Sequence, residues 1–277
     1  MSNELMTTAI CWEISAKVSV ESAYHAKDLF YFCPEANCLA EVVPAKIINA
    51  FFRAPGSHVP GCANEKQKTI NSPVPSAPIS RKSTVPPRPI PTHLGPIEKS
   101  RKANRPTVEE MHALALQSHL EPLRHHGTLQ EVVDAWCAME DLDARRSHSL
   151  HIASQPQTYF DAFSPLSHEG KEGTPSSDRK ILYGFASVSY FKHSFYVATK
   201  TKFKVGEKTL PIRIRIRPNH ALYPCLVDKQ EVMLFLHGHI PELGNHIEIQ
   251  PTDAYSGMVI TLRDLSPLAP ESEHGSM

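Results

Sequence analysis

The chain has 277 residues, 41% of them hydrophobic, and is formally neutral at pH 7, enough for one large or two smaller domains with an ordinary core. Neutrality excludes a uniformly basic or acidic protein, yet it hides an asymmetry: Lys66 to Arg105 carries nine Lys or Arg against one acid, Glu98, and Pro106 to Ser147 carries three Arg against eight acids. No stretch approaches the ~18 apolar residues of a membrane span, and the opening MSNELMTTAICWEISAKVSV has no basic segment leading into an apolar run.

The six cysteines are Cys11, Cys33, Cys38, Cys62, Cys137 and Cys225. Three cluster and three are scattered, unlike a disulfide framework. A reducing, cytoplasmic setting is expected, in a protein of bacterial or phage-related type without membrane association.

Residues 1–65 are expected to form a small cysteine-bearing module. Cys33-x4-Cys38 is followed by His58-x3-Cys62, with about twenty residues between the pairs. Three thiols and one imidazole are the donor set of a structural zinc site, delivered to a tetrahedron by two tight turns. Pro34 shapes the first turn, and Gly56, Pro60 and Gly61 the second. Val42, Val43, Ile47, Ile48, Phe51 and Phe52 would pack a minimal core that needs such a staple. Cys11 is a substitute ligand. The expected fold is a zinc-ribbon or treble-clef-like unit with structural Zn2+.

The residues YFCPEANCLAEVV and FFRAPGSHVPGC, preceded by ISAKVSVESA, resemble the N-terminal zinc-binding segment of competence CoiA-like proteins. In those, a Cys-Pro turn follows a short strand pair and an aromatic-Arg stretch precedes a His. The resemblance covers residues 1–65 and implies DNA handling. It departs at the wider first Cys pair and at the close, where His58 and Cys62 replace a His-rich end. Family members often carry a nuclease domain, but no carboxylate-lysine set of that kind lies downstream, so catalysis is not carried over.

Residues 66–106, rich in Pro, Ser and basic residues, read as a disordered linker, because they hold too few large apolar side chains to offset the entropy of ordering. VPPRPIP, 85–91, is either a polyproline recognition site or plain linker. The main domain, 107–268, is then expected to open with two helices. Thr107 to Glu110 and Thr128 to Glu131 form capping boxes. The first apolar stripe is Val108, Met111, Leu114 or Ala115, and Leu120, ended by Pro122 and Gly127. The second is Leu129, Val132, Val133, Trp136 and Met139, with Arg145 and Arg146 suiting the helix C-terminus. A polar tail, 269–277, follows.

Strands are predicted after Ser147: TYFDAF, ILYGFASVSYF, FYVATKTKFKV, LPIRIRIR, EVMLFLHG, HIEIQ and GMVITLRDL, with 164–179 an exposed loop. The whole reads as α+β, with an antiparallel β barrel or sandwich; an oligonucleotide-binding (OB) type barrel fits the strand number.

Within this domain Lys200, Lys202 and Lys204, then Arg213, Arg215 and Arg217, recur at the strand period, alternating with Thr201, Phe203 and Val205, then Ile212, Ile214 and Ile216. A hairpin pairing Lys204 with Arg213, Lys202 with Arg215 and Lys200 with Arg217 would place six cations on one face without an interleaved acid. Same-face residues are about 6.8 Å apart, a step comparable to the phosphates of a nucleic-acid strand. Tyr183, Phe185, Tyr190, Phe191, Phe195 and Tyr196 could supply stacking surfaces, although most are expected in the core. The bland alternative is a solvated, aggregation-blunting face.

Among the sixteen histidines, His125 with His126, His148 with His151, and His237 with His239 could be combined with Asp228 or Asp253 into a hydrolase site, but nothing fixes them together. No phosphate loop, nucleophile elbow or His-Glu-x-x-His helix is present, and the reading favours a non-enzyme. The expected function is a nucleic-acid-binding accessory protein, for single-stranded DNA or RNA, with a structural zinc module. The rival is an adaptor subunit of a larger assembly, meeting a protein partner through the linker or the acidic helices.

Overall fold

The computed structural model describes residues 5–47, 49–65, 89–98, 104–118, 120–166, 177–205, 207–238 and 254–261. Two compact units divide the chain, Met1–Gly127 and Thr128–Met277. The division at 106/107 expected from the sequence is therefore displaced, and the first predicted helix belongs to the N-terminal unit.

In that unit, β1 (Thr8–Cys11), β2 (Ala16–Ser19), α1 (Val20–Tyr24), β3 (Tyr31–Phe32), β4 (Glu41–Lys46) and β5 (Ala50–Arg53) follow in order. The strands form a five-stranded sheet in the order β2-β1-β3-β4-β5, antiparallel throughout. Alternation along β1 sends its residues to two cores. Ala9 and Cys11 pack with Val18, Tyr31, Val42 and Phe52. Ile10, with Trp12 beyond the strand end, packs against Met111, Leu114 and Ala115.

Those last three residues lie on α2 (Val108–Ser118), which follows β6 (His93–Leu94); β7 (His126–Gly127) pairs parallel with β6. The Thr107 box is formed: Thr107 N–H donates to Glu110 Oε2 at 2.8 Å, and Glu110 N–H to Thr107 Oγ1 at 3.2 Å. Val108, assigned to the apolar stripe, is instead 73% exposed at the start of α2, and Leu120, 89% exposed, lies beyond the helix end at Ser118.

The linker reading fails for residues 89–98. Pro91 and Leu94 are buried, and Ile97 joins the β1 core. Thr92 N–H donates to His125 O at 2.8 Å, so the backbone is satisfied by a neighbouring strand that sequence composition cannot reveal. Residues 66–88 and 99–103, with most of VPPRPIP, lie outside the described residues.

The C-terminal unit begins with α3 (Leu129–Ala138) and α4 (Leu142–Ser147). The Thr128–Glu131 capping box is present, and Leu129, Val132, Val133, Trp136 and Met139 are all buried as their spacing predicts. Arg145 is buried, with its guanidinium 4.0 Å from the Trp136 ring centroid. Its Nε donates to Met139 O at 2.9 Å and its Nη2 to Trp136 O at 3.3 Å. It satisfies carbonyls left open at the α3 C-terminus.

Then come β8 (Ser149–Ile152), β9 (Gln155–Thr158), α5 (Tyr159–Ala162), β10 (Phe163–Pro165), β11 (Ser177–Phe191), β12 (Ser194–Val205), β13 (Lys208–Ile216), a 3-10 turn at Tyr223–Cys225, β14 (Glu231–Gly238) and β15 (Gly257–Thr261). TYFDAF is mostly helix rather than strand, because Thr158 caps it by accepting from Asp161 N–H at 3.1 Å. The β8–β9 hairpin has no glycine signal; Ala153 and Ser154 take its turn at φ 49° and 60°. Parts of the predicted 164–179 loop are strand, in β10 and β11. HIEIQ and the 269–277 tail lie outside the described residues.

The main sheet runs β13-β12-β11-β14-β15, antiparallel, with β10 added parallel to β11. Among the described residues it is an open sheet rather than a closed barrel. Its inner face buries Leu182, Val188, Val197, Phe203, Ile212, Ile214, Ile216 and Leu234. On the other face, Trp136 stacks on Phe163 at 4.7 Å and meets Tyr183 and Phe235. That aromatic cluster covers the β11–β14 side, and among the described residues the β12–β13 side is left open. No helix among the described residues is long and apolar enough to cross a membrane.

Candidate metal centre and basic sheet face

Cys33 leaves β3 and Cys38 sits in the turn before β4. Cys38 N–H donates to Glu35 O at 2.8 Å, and Cys33 N–H to Ala40 O at 2.8 Å, which closes the hairpin around both thiols. Leu39 holds φ 47° to make the turn. His58 and Cys62 come from the loop after β5, where Cys62 N–H donates to Val59 O at 3.1 Å. Gly61 there has φ 85°, a conformation that favours glycine.

The four donor atoms lie within 4.8 Å of one another, a cluster that could hold a metal ion. Cys33 Sγ–Cys62 Sγ is 3.7 Å, Cys62 Sγ–His58 Nδ1 is 3.7 Å and Cys38 Sγ–His58 Nδ1 is 3.3 Å. A tetrahedral zinc with ordinary bond lengths has sulfur–sulfur edges of about 3.8 Å and sulfur–nitrogen edges of about 3.6 Å, so the donor set fits. Asn64 supports it: its Nδ2 donates to Cys33 Sγ at 3.4 Å, and its backbone N–H to Cys62 Sγ at 3.4 Å. Sequence spacing alone gave no reason to select Asn64.

Without a cation, burial pushes the Cys33 thiol up to about 12. Burial also raises Cys62. At Cys38 burial acts in the same sense, but hydrogen bonds from the backbone N–H groups of Val59 and Ala40, together with those of the Cys62 and Cys33 thiols, hold the thiol below its ordinary value. Cys11 is not a ligand: it lies in the β1 core and donates to Glu13 Oε2 at 3.4 Å.

The basic comb is present with a different register. Lys202 faces Pro211, Lys204 faces Thr209, Arg213 faces Ala198 and Arg215 faces Tyr196. None of the predicted Lys–Arg pairs forms. The hairpin turns tightly, with Val205 opposite Lys208, which already sets the two cationic rows four residues off the expected pairing, and a further shift between Ala198 and Lys202 moves them two residues more. The shift is by two residues, so the faces are preserved. Lys200, Lys202, Lys204, Arg213 and Arg217 are exposed and Arg215 is half-buried, while Ile212, Ile214 and Ile216 are buried. Buried Thr199 repairs the ladder by accepting from Ile212 N–H at 3.0 Å. Offsetting the rows avoids the repulsion of like charges directly opposite.

The face is not free of acid. Glu231 on β14 pairs with Lys200 at 2.5 Å, and Arg215 Nε donates to Ser194 Oγ at 3.0 Å. The aromatics divide: Tyr183 joins the Trp136 cluster, Phe195 packs between Tyr190 and Tyr223, and Phe185 and Phe191 stay 43% and 58% exposed.

The histidines do not assemble a hydrolase site among the described residues. His125 is buried against Ser19 Oγ at 2.5 Å and Ser22 Oγ at 3.3 Å. His126 stacks on His93 at 4.5 Å. His148 Nδ1 is 2.8 Å from Ala144 O, His237 Nδ1 3.2 Å from Lys180 O, and Asp228 accepts from Tyr190 N–H at 2.8 Å. His239 and Asp253 lie outside the described residues. Comparison with known proteins returned no matching family model, no curated relative and no similar solved structure.

Proposed function

We propose that the protein is a nucleic-acid-binding accessory protein, with structural zinc in its N-terminal unit and a cationic sheet face in its C-terminal unit. The observation that carries this reading is the exposed row of Lys202, Lys204 and Arg213 on the open side of the sheet, on the same face as exposed Phe185 and Phe191. A polyanionic backbone is complementary to the cations, and releases counterions on binding.

Zinc at Cys33, Cys38, His58 and Cys62 would act structurally, since four protein donors leave no open position for a substrate. It would pin the β3–β4 turn to the loop after β5. The resemblance to the zinc-binding segment of CoiA-like proteins supports the same assignment and the link to DNA.

The rival adaptor reading draws on α2, where Val108 and Leu116 are 73% and 54% exposed beside Glu109 and Glu110. A binding series with single-stranded DNA, duplex DNA and RNA at rising salt separates the two. Steep loss of affinity with salt supports backbone binding; absence of binding to all three contradicts it.

A further inference from the structure

The open sheet face has a shape as well as a charge. On β11 it presents Phe185, Ser187, Ser189 and Phe191, and on β12 Tyr196, Ala198 and Lys200. The register sets Ser187 opposite Ala198 and Ser189 opposite Tyr196. Ser187 and Ser189 are exposed, so small side chains floor a trough with an exposed phenylalanine at either end. The six steps from Phe185 to Phe191 span about 20 Å of strand. An open depression at one end is lined by Ser189, Phe191, Tyr196 and Arg213.

Each exposed ring has a cation over it, which an incoming base would share or displace. Lys200 Nζ is 5.8 Å from the Phe185 centroid, and Lys192 Nζ is 5.2 Å from that of Phe191. Exposed Ser189 Oγ donates to Tyr196 O at 3.5 Å, and its oxygen keeps the capacity to accept.

Resting on the nucleic-acid reading, we infer that this trough is a seat for unpaired bases of a single strand, with one base in the depression against Phe191 and Tyr196. The rings offer stacking surfaces that any base can use, and Arg213 stands where the attached phosphate would pass. A duplex keeps its base faces stacked inside and cannot use the rings. An acidic peptide would use the cations but gain little from a serine floor between two phenylalanines. An apolar helix would leave the serine hydroxyls and the lysines desolvated at a cost.

The test uses the full chain and three probes of equal length: single-stranded oligo-dT, single-stranded oligo-dA and a mixed duplex, each end-labelled for anisotropy. Phe191→Ala and Tyr196→Ala are expected to weaken binding of both single strands by about 10- to 100-fold. Duplex affinity and the salt slope should stay unchanged. Phe191→Trp should restore single-strand binding, which separates stacking from a fold defect, and Phe191→Ala should melt as the parent does. If the parent binds single strands and Phe191→Ala binds them equally well, or loses duplex and single strand alike, the base seat is overturned while nucleic-acid binding stands. If the parent binds none of the probes, both readings fall.

Discussion

Cys38 Sγ lies 3.3 Å from His58 Nδ1, joining the β3–β4 turn to the loop after β5. Metal binding in such a unit doubles as folding free energy, about 10–16 kcal/mol in zinc-finger peptides. Cys33→Ser or Cys62→Ser is therefore expected to release the metal and lower the melting transition of the N-terminal unit, leaving that of Thr128–Met277 in place. Elemental analysis of protein purified without chelator should find one zinc per chain; protein without stoichiometric metal would contradict the site.

Asn64 offers a finer test. Its side-chain N–H reaches Cys33 Sγ and its backbone N–H reaches Cys62 Sγ, both at 3.4 Å. Asn64→Ala keeps the backbone donor and removes the other. Groups that hydrogen-bond metal ligands are typically worth 10- to 100-fold in affinity. Competition against a chromophoric chelator should show about a tenfold loss, with the metal still bound at saturation.

Cys11 predicts how the N-terminal unit responds to alkali. Burial, and then the neighbouring Glu13 carboxylate, raise its thiol from 9.0 to about 12. The fold thus favours the neutral thiol. Its contribution to stability is complete below pH 9 and is lost as pH rises towards about 12. Denaturant melts across that window should show a falling midpoint in the parent and a shallower fall in Cys11→Ala.

Two substitutions test the sheet. Ile214 is fully buried on the inner face, so Ile214→Asp buries a charge without a partner and should unfold the C-terminal unit. Thr199→Val keeps the volume but removes the acceptor for Ile212 N–H, at 3.0 Å. An orphaned buried donor costs about 1–3 kcal/mol, and the melting temperature of this unit should fall accordingly. An unchanged transition in Thr199→Val would show that another group satisfies the bulge.

The parts legible in the sequence were those governed by short-range rules. Both capping boxes, the buried stripe of α3, the alternation of Ile212, Ile214 and Ile216, and the meeting of Cys33, Cys38, His58 and Cys62 all follow from spacing. The hairpin register did not, because the tight turn that sets Val205 opposite Lys208 and the two-residue shift after Ala198 both displace the pairing by an even number of residues, which leaves the alternation intact and no trace in the pattern. The placement of α2 was hidden for a different reason. Its partner surface, Ile10 and Trp12, lies about a hundred residues away in the chain, and a helical period says which side is apolar but not what covers it. The stretch 89–98 looked like linker because its ordering comes from main-chain pairing with His125 and Gly127, to which composition is blind.

The most direct measurement of the proposed function is the salt dependence of single-strand binding by the parent and by the Arg213→Glu/Arg215→Glu double variant. Both arginines lie on the open face. Arg213 is exposed, so the Arg213→Glu single variant should keep its melting transition and serves as the fold control, whereas Arg215 is half-buried and donates to buried Ser194 Oγ. Each lost phosphate contact should flatten the plot of log affinity against log salt by about 0.7 on a single strand, a change of up to about 1.4 for the pair, with weaker binding at every salt concentration. A parent that binds no nucleic acid, or a variant with the parent's affinity and slope, would contradict nucleic-acid binding by this face.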